Sequence, residues 1–340
     1  MKATSTWGVF GHSWTVTRLQ EAVSSGRVSH AYLFTGPESV GKTTVAKALA
    51  AALLCHSDAN RPCWSCRACR LVENGRHPDL HILESEHKGA NLKIDQIRDL
   101  QHQLSLTPIE GEWQVAILRR FEEATTSAAN ALLKTLEEPA PHVVLIVLAS
   151  EAEQLLPTIV SRCQHIQLRP LPIALVQQAL IEQWRAKPER AKLLAHLSGG
   201  RLGWAVRALK DEEMLDRRRK HIENHNKLLT ASKVDRFRYA AKLARDPVEI
   251  QEALTTWIAW WRDVLMLTAG ADTPLTNIDH LNTLRQYARR CGWREAKGVL
   301  DALRASTERL KTNANSRLAL EILMLDLPQM HSPFGTPGPG

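Results

Sequence analysis

Short apolar runs alternate with helical patterns over the first half of the chain. The apolar runs have the length of strands that are buried in a parallel sheet. They lie at residues 31–35, 80–83, 113–118 and 142–149. Residues 161–168 lead into a further strand. Between them, residues 45–54, 94–100 and 127–138 have the composition or the spacing of helices. Strands that alternate with helices predict an α/β domain with a parallel sheet.

From Ile173 onward the pattern is helical. Residues 173–208 predict a small helical lid with a turn at Ser198–Gly200, and residues 209–328 predict a helix bundle. Three tryptophans of the bundle, at positions 257, 260 and 261, mark one apolar face. We interpret them as core or subunit interface rather than as a platform for stacking bases. The Pro- and Gly-rich residues 329–340 predict a disordered tail.

Length and charge narrow the class of protein. A chain of 340 residues is long for one domain, so two or three are expected. The longest apolar run, Val143–Ala149, falls well short of the roughly 18 residues of a membrane span, and we see no secretory leader. We therefore expect a cytoplasmic protein without a membrane segment. The net charge of +8 favours a polyanionic partner only weakly, because the chain has no dense block of Lys and Arg.

A glycine loop stands between the first predicted strand and the first long helix. Its residues are Gly36, Pro37, Glu38, Ser39, Val40, Gly41, Lys42, Thr43 and Thr44, of which the first eight match G-x-x-x-x-G-K-[ST]. Backbone N–H groups of such a loop can surround phosphate oxygens, Lys42 can reach the β and γ phosphates, and the Thr43 hydroxyl suits Mg²⁺. The motif predicts binding of ATP with Mg²⁺. The other interpretation is a glycine turn that binds nothing.

Four of the six cysteines lie close together, at Cys55, Cys63, Cys66 and Cys69. In a reducing compartment this spacing indicates a metal site rather than disulfides. Four thiolates suit Zn²⁺ in a closed, structural site, and an iron–sulfur cluster is the chemical alternative. Four unliganded cysteines are the remaining interpretation.

Several stretches together resemble a known family. They are His30–Gly36 leading into the glycine loop, the four-cysteine insertion, Ala129–Pro139, Ser161–Cys163 and Asn313–Glu321. The combination resembles the bacterial clamp-loader AAA+ subunits, most closely the delta-prime type of the DNA polymerase III holoenzyme, over almost the whole chain.

This resemblance implies a fold and a set of partners. It implies a RecA-like AAA+ domain at 1–172 with a zinc module at 55–69, a lid at 173–208 and a helical collar at 209–328. It further implies a hetero-pentameric ring with gamma/tau and delta subunits, which loads a sliding clamp onto primed DNA as part of the replicative polymerase complex. Contact with DNA would occur mainly through that complex.

The chain departs from the ATPases of this family at the position of their acidic pair. Counted back from Asn130, that pair falls on Arg119 and Arg120, and two cations cannot coordinate Mg²⁺. Glu122 and Glu123 could replace the pair only with a register shift of three residues. Otherwise we expect them to face solvent near a helix start.

Two further positions also differ from the family's ATPases. The family's ATPases carry an arginine at a position of the lid where this chain has Gly203. They also carry a pair of threonines that senses the γ-phosphate, where this chain has Ala149-Ser150. The departures predict a subunit with little or no ATPase activity of its own. The alternatives are a gamma/tau-type ATPase, and a generic AAA+ DNA remodeller such as a Holliday-junction motor.

Arg162, in Ser161-Arg162-Cys163, has two interpretations. An arginine at this position can simply pair with a surface carboxylate, which contributes little to stability. In the resembling family this arginine projects toward the γ-phosphate bound by the next subunit. The resemblance therefore implies an arginine finger that acts in trans.

Overall fold

The computed structural model describes residues 7–57, 60–87, 89–311 and 315–330. By its contacts the chain divides into two compact units. The first unit comprises Met1–Trp184 with Gly200–Trp204, and the second comprises Arg185–Gly199 with Ala205–Gly340. The division into three domains at 172 and 208 stays a prediction. The predicted tail from 331 and the start of the 313–321 motif lie outside the described residues.

The first unit contains a five-stranded sheet whose neighbouring strands are parallel, in the order β2-β3-β4-β1-β5. The strands are β1 (Ala31–Thr35), β2 (Leu80–Leu83), β3 (Gln114–Leu118), β4 (Val143–Ala149) and β5 (Gln164–Gln167). The predicted parallel α/β class is confirmed. In this order β1 lies between β4 and β5, so the chain segments that follow β1, β3 and β4 emerge along the same edge of the sheet.

Helices cover both faces of this sheet. They are α1 (Ser13–Ser24), α2 (Lys42–Leu54), α3 (Arg67–Glu73), α4 (Ile94–Leu104), α5 (Thr126–Glu137) and α6 (Pro157–Arg162), and α7 (Ile173–Trp184) follows β5 along the chain. Along β4, Val144 and Ile146 belong to the core that contains α2, whereas Leu145 and Val147 belong to the core that contains α4 and α5. Because successive side chains of a strand point to opposite faces, a continuous apolar run is needed to fill both cores.

Among its described residues, the second unit contains helices and the loops that connect them, and no strand. Its helices are α8 (Pro188–Ser198), α9 (Leu202–Lys210, which begins in the first unit), α10 (Glu212–Thr230), α11 (Lys233–Leu243), α12 (Pro247–Thr268), α13 (Leu281–Arg290), α14 (Trp293–Lys311) and α15 (Ser316–Asp326). Trp257, Trp260 and Trp261 are fully buried in its core, which confirms that they serve packing.

Arg236 connects two ends of this bundle. Its buried guanidinium donates hydrogen bonds to the carbonyls of Leu228 at 2.8 Å, Met324 at 3.0 Å and Leu327 at 2.7 Å. The last two carbonyls end α15, where backbone acceptors have no partner within the helix. Burial lowers the pKa of Arg236, but the carbonyls supply acceptors for its charge. Over the described residues, no helix has the length and apolar composition to span a membrane.

Candidate nucleotide and metal sites

The glycine loop begins where β1 ends. Gly36 donates its N–H to the carbonyl of Ser150, which follows β4, at 3.0 Å. A Cβ atom at Gly36 would lie 2.2 Å from the carbonyl oxygen of Leu168, and the φ of Gly36 is +141°. Gly41 has a φ of +119° and precedes the first residue of α2. Both glycines are therefore required by the backbone, and the loop leads directly into a helix N-terminus, which favours anions.

Lys42 lies across this loop. Its ammonium group donates to the carbonyls of Gly36 at 2.5 Å and Pro37 at 3.1 Å. Burial lowers the pKa of Lys42, and the carboxylates of Glu122 and Glu38 act in the opposite direction. The amine is thus held among backbone oxygens at the carboxyl edge of the sheet, where a phosphate can accept the same protons.

His12 supports the loop from the N-terminal segment, a role that sequence reasoning missed. Its Nε2 lies 3.0 Å from the carbonyl oxygen of Val40, and burial lowers the pKa of the imidazole. The Gly11-His12 pair precedes α1 and carries no pattern that would reveal the contact. The role of His12 is visible only in the structure, where its ring lies beside Gly41. A Cβ added at Gly41 would lie 3.6 Å from Nε2 of His12.

The two arginines after β3 point toward β2. Arg119 Nη1 and Arg120 Nη1 lie 3.0 and 3.2 Å from Glu84 Oε2. Arg120 also donates from Nη2 to Ser85 and has a left-handed backbone with φ of +49°. Positions 119 and 120 therefore form a cationic pair that is neutralised locally, and they offer no carboxylate to a metal ion.

The expectation that Glu122 and Glu123 face solvent is wrong. Glu123 accepts hydrogen bonds from Ser85 Oγ, from Gly89 N at 2.9 Å and from Arg120 Nε at 2.9 Å. Burial tends to raise the pKa of Glu123, but these donors outweigh it and leave the pKa below its usual value. Both glutamates lie in a 3₁₀ turn, Phe121–Glu123, and both are partly buried.

Glu122 turns to the opposite side, toward the glycine loop. Its Oε1 accepts from Ser150 Oγ at 2.6 Å and from Ser150 N at 3.2 Å. Since Ser150 accepts the N–H of Gly36, hydrogen bonds connect the segment after β3, the end of β4 and the loop. The serine at the sensor position thus orients a carboxylate.

Gly203 contacts the loop through the backbone. Its N–H donates to the carbonyl of Ser39 at 2.9 Å, and Ser39 has a φ of +65°. A Cβ at Gly203 would lie only 2.9 Å from the same oxygen. The arginine that the family's ATPases carry here could not be accommodated without moving the backbone. Arg201, two residues earlier, lies over the ring of Trp204.

Arg162 is the last residue of α6, a helix that the sequence did not predict. Its Nη2 lies 2.8 Å from Glu137 Oε1 and its Nη1 donates to the carbonyl of Thr158 at 3.1 Å. Both side chains are at least one-third exposed. This is the surface pair that one interpretation expects, and the role in trans stays a prediction.

The four cysteines converge as the spacing predicted. Their Sγ atoms all lie within 4.8 Å of one another, and Cys55 follows α2 while Cys66 precedes α3. The sulfurs of a tetrahedral zinc site are about 3.8 Å apart, so a small contraction around an ion would complete the geometry. The backbone amides of Cys66 and Cys69 donate to the Sγ atoms of Cys63 and Cys66 at 3.3 and 3.4 Å. The cluster can hold a metal ion.

The thiols differ in acidity before any metal binds. Hydrogen bonds from Ser65 lower the pKa of Cys63 to about 5, whereas burial raises the pKa of Cys55 and of Cys69. Cys63 therefore loses its proton more readily than the buried cysteines of the cluster. The buried pair needs a cation to lose its protons.

Comparison with known proteins agrees with this geometry. Residues 11–172 match the family model described as DNA polymerase III, delta subunit. DNA polymerase III subunit delta' of Bacillus subtilis is 31% identical over 91% of this chain and 94% of its own length. The delta' subunit of Pseudomonas aeruginosa is 32% identical over 92% and 94%. Subunit tau of Bacillus subtilis is 26% identical over 94% of this chain but only 61% of its own length. The chain is a member of the family of DNA polymerase III delta' subunits.

Proposed function

We propose that this chain is the non-motor, delta-prime-type subunit of a clamp loader, with little or no ATPase activity of its own. The observation that carries the proposal is the pair Arg119 and Arg120. Both lie where a P-loop ATPase needs its acidic residues, and both are held by Glu84 beside an otherwise complete loop. Phosphoryl transfer depends on positioning and electrostatics, so cations at these positions should cost many powers of ten in rate.

ATP with Mg²⁺ is the proposed ligand of the glycine loop. The residues fit a nucleotide: Gly36 and Gly41 open the backbone, and Lys42 offers a charge to the phosphates. Bound Mg²⁺ would neutralise part of the phosphate charge. Binding without efficient hydrolysis gives the subunit a fixed conformation, which suits a stator against which motor subunits move.

Zn²⁺ is the proposed occupant of the four-cysteine cluster, in a structural role. Four protein ligands leave no open position for catalysis. The four ligands lie between the end of α2 and the first turn of α3, so the metal would hold these two helix ends together. An iron–sulfur cluster remains the chemical alternative, and metal analysis separates the two.

Arg162 is the proposed contribution to a neighbouring active site. A guanidinium is always charged and its planar fork matches phosphate oxygens. Its present partner, Glu137, lies at the surface, and an exposed pair of this type is weak enough to be exchanged for a phosphate. The subunit would then complete a site that it does not itself possess.

The helical unit is the proposed collar. Leu318, Ile322 and Leu325 are exposed on α15 at the spacing of one helix face, while Leu320 and Leu323 are buried on the other. An exposed apolar stripe of this type fits a helix of a neighbouring subunit. We propose gamma/tau and delta subunits as the neighbours, in a hetero-pentameric ring that acts on a sliding clamp and primed DNA in the bacterial cytoplasm.

Reconstitution tests this function. The chain, mixed with gamma/tau and delta subunits, should form a stable complex that loads a clamp onto primed DNA, and omission of the chain should abolish loading. Ile322→Asp should weaken assembly without unfolding the monomer, whereas the exposed control Val234→Asp on α11 should not. Full loading in the absence of the chain would contradict the proposal. An ATPase rate that the chain itself supplies would favour the gamma/tau-type alternative.

A further inference from the structure

We infer that Glu122 is the cation-binding acid of the glycine-loop site, in place of the acidic pair that this chain lacks directly after β3. The inference rests on the nucleotide binding proposed above. It concerns one carboxylate and the dependence of nucleotide affinity on a divalent cation.

The backbone after β3 brings Glu122 to the edge of the sheet. Arg120 adopts a left-handed conformation, and the 3₁₀ turn that follows buries Phe121. Glu122 lies within this turn and accepts a hydrogen bond from Ser150, which follows β4. The pair Glu122–Glu123 lies three residues after the position of the acidic pair in the family's ATPases. The carboxylate of Glu122 nevertheless lies at the carboxyl edge of the sheet, where the acids of an ATPase lie.

Only one oxygen of this carboxylate is used. Oε1 accepts both hydrogen bonds from Ser150, whereas Oε2 is buried and has no hydrogen-bond partner. A buried carboxylate oxygen without a partner is costly, and a cation or a cation-bound water is a natural partner for it. The two bonds from Ser150 hold the carboxylate through Oε1 and leave the second oxygen available to a cation.

The charges around the site support the same assignment. The carboxylate of Glu122 opposes the effect of burial on the pKa of Lys42, so the two charges lie close enough to interact. The neighbouring acids are otherwise engaged: Glu84 pairs with both arginines, and Glu123 accepts from Ser85, Gly89 and Arg120. Glu38 also acts on Lys42, but it is exposed. Glu122 is therefore the half-buried carboxylate best placed beside bound phosphates.

A carboxylate in this place has opposite effects with and without a metal ion. With Mg²⁺ it adds a ligand, either directly or through water, and strengthens nucleotide binding. Without Mg²⁺ it repels the phosphates, because like charges a few ångströms apart destabilise each other. Removal of the charge should therefore weaken binding in one condition and strengthen it in the other. A merely structural residue would change both in the same direction.

The test measures the affinity of the full-length chain for fluorescent ADP, once with Mg²⁺ and once with EDTA. The wild-type chain should bind at least about tenfold more tightly with Mg²⁺. In Glu122→Gln this ratio should fall toward one, through weaker binding with Mg²⁺ and tighter binding with EDTA. The control is Glu151→Gln. Glu151 directly follows Ser150 but is exposed, so removal of its charge should leave the wild-type ratio unchanged.

An unchanged ratio in a folded Glu122→Gln variant would overturn the inference while leaving nucleotide binding intact. If that variant fails to fold, Glu122→Asp keeps the charge but shortens its reach, and an unchanged ratio there would overturn it equally. Absence of ADP binding by the wild-type chain would remove both the inference and the proposed nucleotide site. The proposed clamp-loader function would not be affected by that result, because the reconstitution experiment tests it independently.

Discussion

Arg162 Nη2 lies 2.8 Å from Glu137 Oε1 across the surface of the first unit. The pair joins the end of α6 to the end of α5, that is, the Ser161-Arg162-Cys163 motif to the Leu136-Glu137-Glu138-Pro139 motif. Two stretches that the sequence singled out separately thus meet in one contact. The contact keeps the guanidinium in a defined position at low energetic cost, so another anion can replace the carboxylate.

The first prediction concerns this arginine in the assembled complex. Arg162→Ala should leave assembly intact but reduce DNA-stimulated ATP turnover at one neighbouring site by roughly 10³- to 10⁵-fold, the contribution of arginine fingers in other P-loop enzymes. Single-turnover ATPase and clamp-loading assays measure the effect. Glu137→Gln serves as the matched control: it breaks the same ion pair, keeps the arginine and should retain loading. Unchanged loading by a fully assembled Arg162→Ala complex would return this residue to the role of a surface partner.

The second prediction is that the isolated chain hydrolyses ATP far more slowly than about 1 per second. The physical reason is that Arg119 and Arg120 stand where acids must orient the metal ion and water. Turnover by the purified chain measures it, with Lys42→Ala as the control for contaminating ATPases. Ordinary turnover that is lost in both Lys42→Ala and Glu122→Gln would show instead that Glu122 sustains catalysis.

The third prediction follows from the lowered pKa of Glu123. The folded-state pKa lies below the usual value of a glutamate, so the ionised carboxylate stabilises the native state at pH values above that usual value. That stabilisation is lost as the pH falls through the folded-state pKa. Unfolding free energies measured at pH 7 and at progressively lower pH should therefore decline less steeply in Glu123→Gln than in the wild type. Parallel curves would show that this carboxylate is not coupled to folding.

The fourth prediction tests the contact between Gly203 and the glycine loop. In Gly203→Ala the new Cβ meets the Ser39 carbonyl oxygen, and this steric overlap should destabilise the first unit by about 1–3 kcal/mol. Nucleotide affinity should fall with it. Gly298→Ala is the control, because Gly298 is an exposed position of α14 and nothing lies within 4 Å of a Cβ added there, and it should stabilise the chain by about 0.5–1 kcal/mol. Thermal denaturation of both variants decides whether space at Gly203 matters.

The fifth prediction is that the chain purified without added metal contains about one Zn²⁺ per molecule. Cys66→Ser should lose the metal and destabilise the segment between α2 and β2, since metal binding contributes directly to folding. Cys163→Ser, outside the cluster, should retain full metal content. Mass-spectrometric metal analysis and thermal unfolding measure both. A metal content near zero in a normally folded wild-type chain would rule the site out.

Much of this protein could be predicted from local sequence. The strands 31–35 and 80–83 agree with the structure residue for residue, and the glycine loop and cysteine cluster form as their spacing indicates. Each of these features depends on neighbours within a few tens of residues. Apolar periodicity, positive φ at glycine and ligand spacing act over that range, so the sequence alone determines them.

Other features were decided only by the tertiary structure. The sequence suggested that Glu122 faces solvent. In the structure, the hydroxyl of Ser150, 28 residues away, donates a hydrogen bond to the carboxylate of Glu122. Gly203 meets Ser39 and His12 meets Val40 through contacts that join distant segments. In a parallel sheet, loops far apart in sequence come together at the carboxyl edge. The direction of a charged side chain at that edge depends on which distant donors the fold brings there, and no local pattern records them.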